Sequence, residues 1–433
     1  MHLDNMYALI STKDGNTWWT LMRHDPDDPI SCIQSYEITG GVTQPFETLT
    51  LNISMNRVSY MITEDRTFID NIIPFKTQIM INGVHKGRYL VSKSRISRKG
   101  VDRICTITAY SLANQYQTSK LAITYNSGPS GPLGPSDIIS SILNTNYGSN
   151  TSPVRFSGMR VHKLIADGAN KWFGNVSFKA GTNVWRVLQI CAMRLGAKIW
   201  FEGDDAYIID FRINEMPIDN QGDMRLHSKP KDLTRDISES VIGTAEVTDE
   251  GIDSVINVQK VTYGTNNQEA YSRGVVVIPD PINSNEQILE VNPNYIGGKS
   301  IQYYGMIEGS TYNIPEILNK DDAVEIASNI VDYRSDMQRS IKFAIKEVSD
   351  EGWRPQFSST CNADSISNEV DEMLIENTSR CDVEETSGAG IPKSQYLYMS
   401  EYTRYYPKGY SDYTWGKITN ADLPQAMSKL MSS

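Results

Sequence analysis

Along this chain the apolar positions change period several times, and the sharpest change falls in residues 180–211, AGTNVWRVLQICAMRLGAKIWFEGDDAYIIDF. Val184, Leu188, Cys191 and Leu195 share one helical face, with Arg186, Gln189 and Arg194 off it, which predicts an amphipathic helix. Thr182 is placed to cap its start through the hydroxyl. Gly196 stands where a left-handed residue ends a helix. The period then drops to two: Lys198–Glu202 and Ala206–Phe211 are predicted strands, joined by a turn at Gly203, Asp204 and Asp205.

Before this run the pattern is that of short strands. Met6–Thr12, Trp18–Met22, Ile30–Ile38 and Phe46–Ser54 are predicted strands, with a hairpin turn at Asp14-Gly15-Asn16. Lys76–Ile81 runs into Asn82-Gly83, and Gly87–Arg95 and Asp102–Tyr110 flank a turn at Arg98-Lys99-Gly100. Ile104, Thr106 and Thr108 alternate with Cys105, Ile107 and Ala109, so this meander belongs to a sandwich or barrel. Gly128–Pro135, GPSGPLGP, reads as a linker, after which Ser136 caps a short helix, Asp137–Leu143.

After Phe211, the polar stretch Asn214–Ser240 reads as a second connector. Val241–Val247, Asp253–Tyr263 and Val275–Ile278 are predicted strands, and Asp280–Lys299 a loop. Asp321–Met337, capped by Asn319 or Asp321, is a helix, followed by a strand over Ser340–Val348. Gly352–Ser387 is polar and acidic, an insertion or long hairpin. Tyr396, Tyr398, Tyr402, Tyr405, Tyr406 and Trp415 make Tyr396–Trp415 an interface strand or an aromatic glycan platform. Ala421–Ser433 is a tail. The expected class is mainly β (α+β): a β-barrel over 1–127, a small α/β insert over 136–212, a second barrel with helix 321–337 over 236–350, and a decorated region over 351–433 completing it.

Composition narrows the function classes. At 433 residues the chain has room for several domains, and its 39% hydrophobic share with 23 tyrosines suits exposed sheets and interfaces. A net charge of −11 argues against general nucleic-acid binding, though acidic groups lining a channel let DNA pass without sticking. The exception is a basic patch on the meander, Arg88, Arg95, Arg98, Lys99 and Arg103 with Lys86 and Lys93, which reads as a solvated face, a contact to an acidic neighbour or a phosphate site. The five cysteines are widely spaced with no C-x-x-C pair, so zinc and redox readings fail. Cys105 and Cys191 are expected as buried thiols, and Cys361 with Cys381 is the one disulfide to consider. Met1–Thr20 lacks a signal-peptide pattern, and no window holds the ~20 apolar residues of a membrane span, so a protein made in a cytoplasm is expected.

No catalytic constellation stands out. H-E-x-x-H, Walker, dinucleotide-binding and nucleophile-elbow motifs are all missing. His24–Pro29, HDPDDP, is turn chemistry rather than a metal site. The five histidines read as surface-loop residues, and the pairs Asp204-Asp205 and Asp321-Asp322 as turn and cap residues. No enzyme activity, cofactor or metal is expected, although an acid pair distant in sequence and brought together at a cleft would change that.

The run containing Gly181, Thr182, Trp185, Val187, Leu188, Ala192, Arg194, Gly196, Ala197, Gly203 and Asp204 resembles a recurrent segment of the tail hub proteins (baseplate hub or tail-tip proteins) of tailed bacteriophages and contractile injection systems. The order of elements from 1 to 350 is similar too. The resemblance implies two tube-like antiparallel β-barrels per chain and a homotrimer forming a pseudo-six-fold ring. On one face that ring would meet the hexameric tail tube or a distal tail protein, and on the other a trimeric spike or tip. Such a ring forms part of the DNA channel of a virion tail, assembled in the bacterial host cytoplasm. No spike-like segment follows residue 350, so hub and spike are expected as separate proteins. The other classes left open are a carbohydrate- or receptor-binding tail protein using the aromatic segment and a tail-associated cell-wall hydrolase.

Overall fold

The computed structural model describes residues 7–11, 18–23, 31–56, 78–82, 87–131, 133–144, 159–166, 168–203, 205–210, 242–249, 251–283, 286–335, 339–346, 360–362, 375–376, 385–386, 391–392, 396–406 and 410–416. The Asp14–Asn16 turn, the HDPDDP loop, Asp204, the 214–240 connector, Cys381, most of 352–387 and the tail from 421 lie outside the described residues.

The N-terminal strands are β1 (Tyr7–Ser11), β2 (Trp18–Arg23), β3 (Ser31–Gly41), β4 (Thr48–Ser54), β5 (Gln78–Asn82), β6 (Gly87–Lys99) and β7 (Asp102–Ser111). A one-turn helix α1 (Gln115–Thr118), β8 (Tyr125–Ser127), α2 (Pro135–Asn144), β9 (Arg160–Leu164) and β10 (Val176–Phe178) lead to the central helix α3 (Val184–Leu195) and the hairpin β11 (Lys198–Glu202) and β12 (Asp205–Ile209). Then come β13 (Ile242–Asp249), β14 (Lys260–Tyr263), β15 (Gln268–Tyr271), β16 (Val275–Pro279), β17 (Gln287–Val291), α4 (Ile296–Tyr304), β18 (Tyr312–Ile314), α5 (Lys320–Arg334) and β19 (Arg339–Lys346). Short pieces β20 (Thr360–Asn362), β21 (Ile375–Glu376), β22 (Glu385–Thr386) and β23 (Ile391–Pro392) precede β24 (Tyr396–Tyr406) and β25 (Tyr410–Gly416).

The chain is mainly β with helices, as its patterning predicts. Eleven strands of one 13-stranded sheet run in the order β13-β19-β25-β24-β3-β2-β1-β5-β6-β7-β4, antiparallel throughout this path except for the β2–β3 pair, with β20 and β21 joined off it through β24. Strand β3 also pairs with β4. Strands β24, β25, β19 and β13 extend the sheet from β3, which places strands of the N- and C-terminal regions in one hydrogen-bonded surface. The alternation read in 102–111 is the cause of its burial: Cys105, Ile107 and Ala109 point inward.

Three readings change. Of Asp253–Tyr263 only Lys260–Tyr263 is strand; the earlier residues make a 3₁₀ turn, and Val255 and Val258 are buried from irregular backbone. The Asp280–Lys299 loop contains β17 and leads into α4, because Gln287–Val291 pairs back on β16. The Gly128–Pro135 linker folds into a hydrogen-bonded turn, Gly131 N–H to Gly128 O at 2.9 Å, and does not interrupt packing.

The core is continuous across the middle of the chain. Phe46, Leu112 and Tyr116 pack with Ile138 and Ile142 of α2, Leu188 of α3, and Ile326 and Ile330 of α5 in one cluster. Each such residue is at or near zero exposure, so truncating Leu188 or Ile142 to alanine costs about 2–5 kcal/mol. At its centre, α3 is buried almost all round, Gln189 and Arg194 included, and every residue of β11 is buried.

Candidate functional site: buried ionic clusters where the segments meet

The residues of the 181–204 run are those that tie α3 and its hairpin to the rest of the molecule. Gly181 takes a left-handed φ of +89° in the turn before the helix. Asn183, rather than Thr182, caps α3: its side chain accepts from Arg186 N–H at 3.0 Å, and Thr182 lies one position too early. Trp185 packs edge-on against Phe46, ring centres 4.7 Å apart, and Phe46 stacks on Phe201 of β11 at 5.2 Å. Gly196 ends the helix at φ +68°, and Ala197 N–H returns to Ala192 O at 2.9 Å.

Arg194 and Asp322 form the first buried cluster. Arg194 lies off the apolar face yet is 3% exposed, because α5 packs over it and presents Asp322 at 0%. Arg194 Nε donates to Asp322 Oδ1 at 2.6 Å, Nη2 donates to Lys171 O at 2.8 Å, and the guanidinium sits 4.4 Å over the Phe173 ring. Asp322 also accepts from the backbone N–H groups of Phe173 at 3.0 Å and Gly174 at 2.8 Å. The helix-cap reading of Asp321-Asp322 therefore fails for Asp322: Asn319 is the cap, accepting from Asp321 N–H at 2.6 Å, and Asp322 faces inward. Around this pair, Asn329 Nδ2 donates to Met193 O at 2.9 Å, Tyr333 Oη donates to Gly196 O at 2.6 Å, and Arg186 makes a two-pronged bond to Glu316.

The second cluster joins the hairpin to the large sheet. Glu47 is buried just before β4, and its carboxylate accepts from Tyr402 Oη at 2.6 Å, Gly203 N–H at 2.8 Å and Tyr89 Oη at 3.3 Å. Beside it, Arg404 Nη2 donates to Glu202 Oε1 at 2.7 Å, and its guanidinium lies 3.8 Å over the Tyr402 ring. Desolvation pushes the Glu47 carboxyl above its ordinary value, helped by the charge of Glu202. Arg404 and the bonds from Tyr402 and Gly203 oppose it. Gly40 permits the approach: a Cβ there would lie 2.7 Å from Tyr402 Oη.

Glu47 and Glu202 are an acid pair brought together from distant sequence, but both carboxylates are consumed in bonds to the fold. The open depression of about 510 Å³ at the Gly128–Gly131 turn, beside Asn175 and Leu318, is lined by no ionisable side chain. Among the described residues no group of His, Cys, Asp and Glu is arranged to hold a metal ion, and no helix is long and apolar enough to cross a membrane.

The other predicted residues divide. Tyr402 is not an exposed interface residue; it is 1% exposed and bound to Glu47, because β24 is an interior strand between β25 and β3. Tyr405 is part-exposed, and the side chains of Tyr396, Tyr398, Tyr406 and Trp415 lie outside what is described. In the basic patch Arg95, Arg98 and Arg103 are exposed on the β6–β7 ribbon and Arg88 is half-buried; the Lys99 side chain lies outside the described set. His162 sits in strand β9, not a loop, 2.8 Å from Asp205 and stacked on Tyr207. Cys105 and Cys191 are free and buried, and burial pushes the Cys105 thiol up to about 11.

No protein-family model matches the sequence, and no curated protein matches it. Among solved structures, the chain is similar to a tail protein from Neisseria meningitidis MC58, with 10% identity, TM-score 0.48, and 98% of this chain and 99% of that chain covered. It is similar to prophage tail protein gp18 from Listeria monocytogenes EGD-e, with 8% identity, TM-score 0.49, and 99% and 100% covered. A Francisella PdpA-VgrG complex matches at 12% identity and TM-score 0.43, over 96% of this chain and 53% of that chain. In each case the sequence identity is low and the TM-score is under 0.5.

Proposed function

We propose that this chain is a structural tail hub protein of a phage tail. Three copies form a pseudo-six-fold ring of tube-like barrels that adapts the hexameric tail tube, or a distal tail protein, to a trimeric spike or tip, and the ring forms part of the DNA channel. The observation that carries the reading is the use made of the 181–204 run, whose residues resemble the tail hub segment. Trp185 and Gly203 contact the adjacent Phe46 and Glu47, and Arg194 and Gly196 contact Asp322 and Tyr333 of α5. The run therefore acts as a keystone between the start of β4 and the helix α5, which is what a scaffold needs. A non-catalytic role agrees with the use of Glu47 and Asp322, whose carboxylates each accept three hydrogen bonds from the fold. It agrees too with a net charge of −11, which suits a lumen that DNA crosses without binding.

The test is the particle mass of the purified chain by mass photometry, with negative-stain averages. Trimer mass with an annular, six-lobed view supports the ring, alone or after addition of the neighbouring tail protein. A stable dimer, or a ring of another order, refutes it.

A further inference from the structure

Two exposed ribbons of opposite charge stand in different sheets of this molecule. On β6, Lys93, Ser94, Arg95, Ile96, Ser97 and Arg98 are all exposed, and since neighbouring residues point to opposite faces, neither face of the strand is covered there. Arg98 lies directly opposite Arg103 on β7, which gathers positive charge at this end of the ribbon. Around these cations Ile96 is 39% and Val101 82% exposed.

The second ribbon is the β16–β17 hairpin. Its base is anchored where Val275, Leu289 and Val291 pack with Val258 and Ile301. Beside its tip, Asp280 accepts from Ile282 N–H at 2.7 Å and Glu286 N–H returns to Asn283 O at 2.9 Å. Yet Val276 and Val277, adjacent in sequence and so on opposite faces, are both exposed, as are Ile288 and Ile282, the last at 96%. Glu286 and Glu290 are exposed among them. An acidic hairpin that keeps branched apolar side chains in water on both faces is built for a contact.

We propose that the basic β6–β7 ribbon of one copy docks on the acidic β16–β17 hairpin of a second copy. This rests on the ring reading above and names the surfaces that close it. Charge alone would not choose the hairpin on a chain this acidic; its exposed valines and isoleucines, facing Ile96 and Val101, do. Two different surfaces meeting make a head-to-tail contact, the kind that generates rings.

The experiment uses the full chain and mass photometry on four proteins: wild type, Arg95→Glu/Arg98→Glu, Glu286→Lys/Glu290→Lys, and all four changes together. Circular dichroism confirms that each is folded. Either double reversal is expected to lower the assembled fraction at least ten-fold, and the fourfold chain to recover it, because the charges are then exchanged but still opposite. The proposal is overturned if the double reversals assemble like wild type, or if the folded fourfold chain stays dissociated. It is also overturned if Arg95→Glu/Arg98→Glu abolishes retention on DNA and leaves assembly intact, which would assign the ribbon to nucleic acid. A second measurement separates this contact from the ring. A Val101→Cys chain mixed with an Ile288→Cys chain under mild oxidant is expected to give a mixed disulfide dimer, absent with either chain alone. That dimer without any ring would keep the contact and refute the ring; no dimer beside an intact ring would refute the contact and keep the ring.

Discussion

Replacing Asp322 by alanine should damage this protein more than its place in the first turn of a helix suggests. The carboxylate is fully buried and accepts three hydrogen bonds, from Arg194 Nε, Phe173 N–H and Gly174 N–H. Removing one partner of a buried ion pair costs about 3–5 kcal/mol, because the other charge stays behind. The two orphaned N–H groups add about 1–3 kcal/mol each where no water reaches them. Since Lys171 O and the Phe173 ring still hold part of the guanidinium, about 5 kcal/mol is the expected total, comparable to the whole stability of many domains. Urea unfolding followed by tryptophan fluorescence reads it, since Trp172, Trp185 and Trp200 are all buried in the described core. The decisive comparison is the double variant Asp322→Ala/Arg194→Met. It removes both charges and keeps the packing of the Arg194 stem, so it should be more stable than Asp322→Ala alone by about 1–3 kcal/mol. A cost for Asp322→Ala below about 1 kcal/mol, or a double variant showing the simple sum of two losses, would refute a dry, mutually dependent pair.

A Glu47→Gln variant should change the pH dependence of stability. The folded carboxyl titrates above its ordinary 4.5, so folding retains a proton that the unfolded chain has lost; wild-type stability therefore falls as pH rises from 4.5 through the raised folded value. Glutamine removes that decline, so thermal midpoints from pH 4.5 to 8 should diverge in favour of the variant as pH rises; parallel curves would count against the assignment. Gly196→Ala should cost about 1–2 kcal/mol in the same urea assay, since φ is +68° at that cap. Gly40→Ala should cost more than Gly196→Ala in that assay, because its methyl would meet Tyr402 Oη and Cζ and Glu47 Cγ within 3 Å.

Local structure was legible wherever one period held over enough residues. The α3 helix, its Gly196 end, the β11–β12 hairpin and the inward side of β7 follow directly from spacing. What patterning could not supply were partners distant in sequence. Arg194 off an apolar stripe reads as solvent-facing, and becomes a core residue only because α5, 128 positions later, presents an acid to it. Asp322 in an Asn-Lys-Asp-Asp start reads as a cap, and nothing local tells which of two adjacent acids turns inward. Tyr402 is one tyrosine in a row of them; its burial follows from β24 lying between β25 and β3, a pairing that joins residues more than 350 positions apart. The one usable hint was chemical: arginine inside an otherwise apolar helix, with aromatic neighbours, often has a carboxylate to find.

The two buried clusters have a consequence for the proposed role beyond stability. Pairs of this kind are weak net stabilisers, since desolvation offsets most of the attraction, and apolar replacements of similar volume often do as well. Their strength lies in refusing alternatives: an apolar contact between α3 and α5 tolerates a shift of one residue, whereas a guanidinium and a carboxylate buried together do not. Here the Arg194–Asp322 pair fixes α3 against α5, and the Glu47, Tyr402, Glu202 and Arg404 set fixes the hairpin that follows α3 against strands from both ends of the chain. A single enzyme cleft can absorb a small rotation between segments. A ring cannot, because an angular error in each copy accumulates until the last contact fails to close. Under the ring reading, charge buried at the junctions sets the angle at which each copy offers its two ribbons to the next.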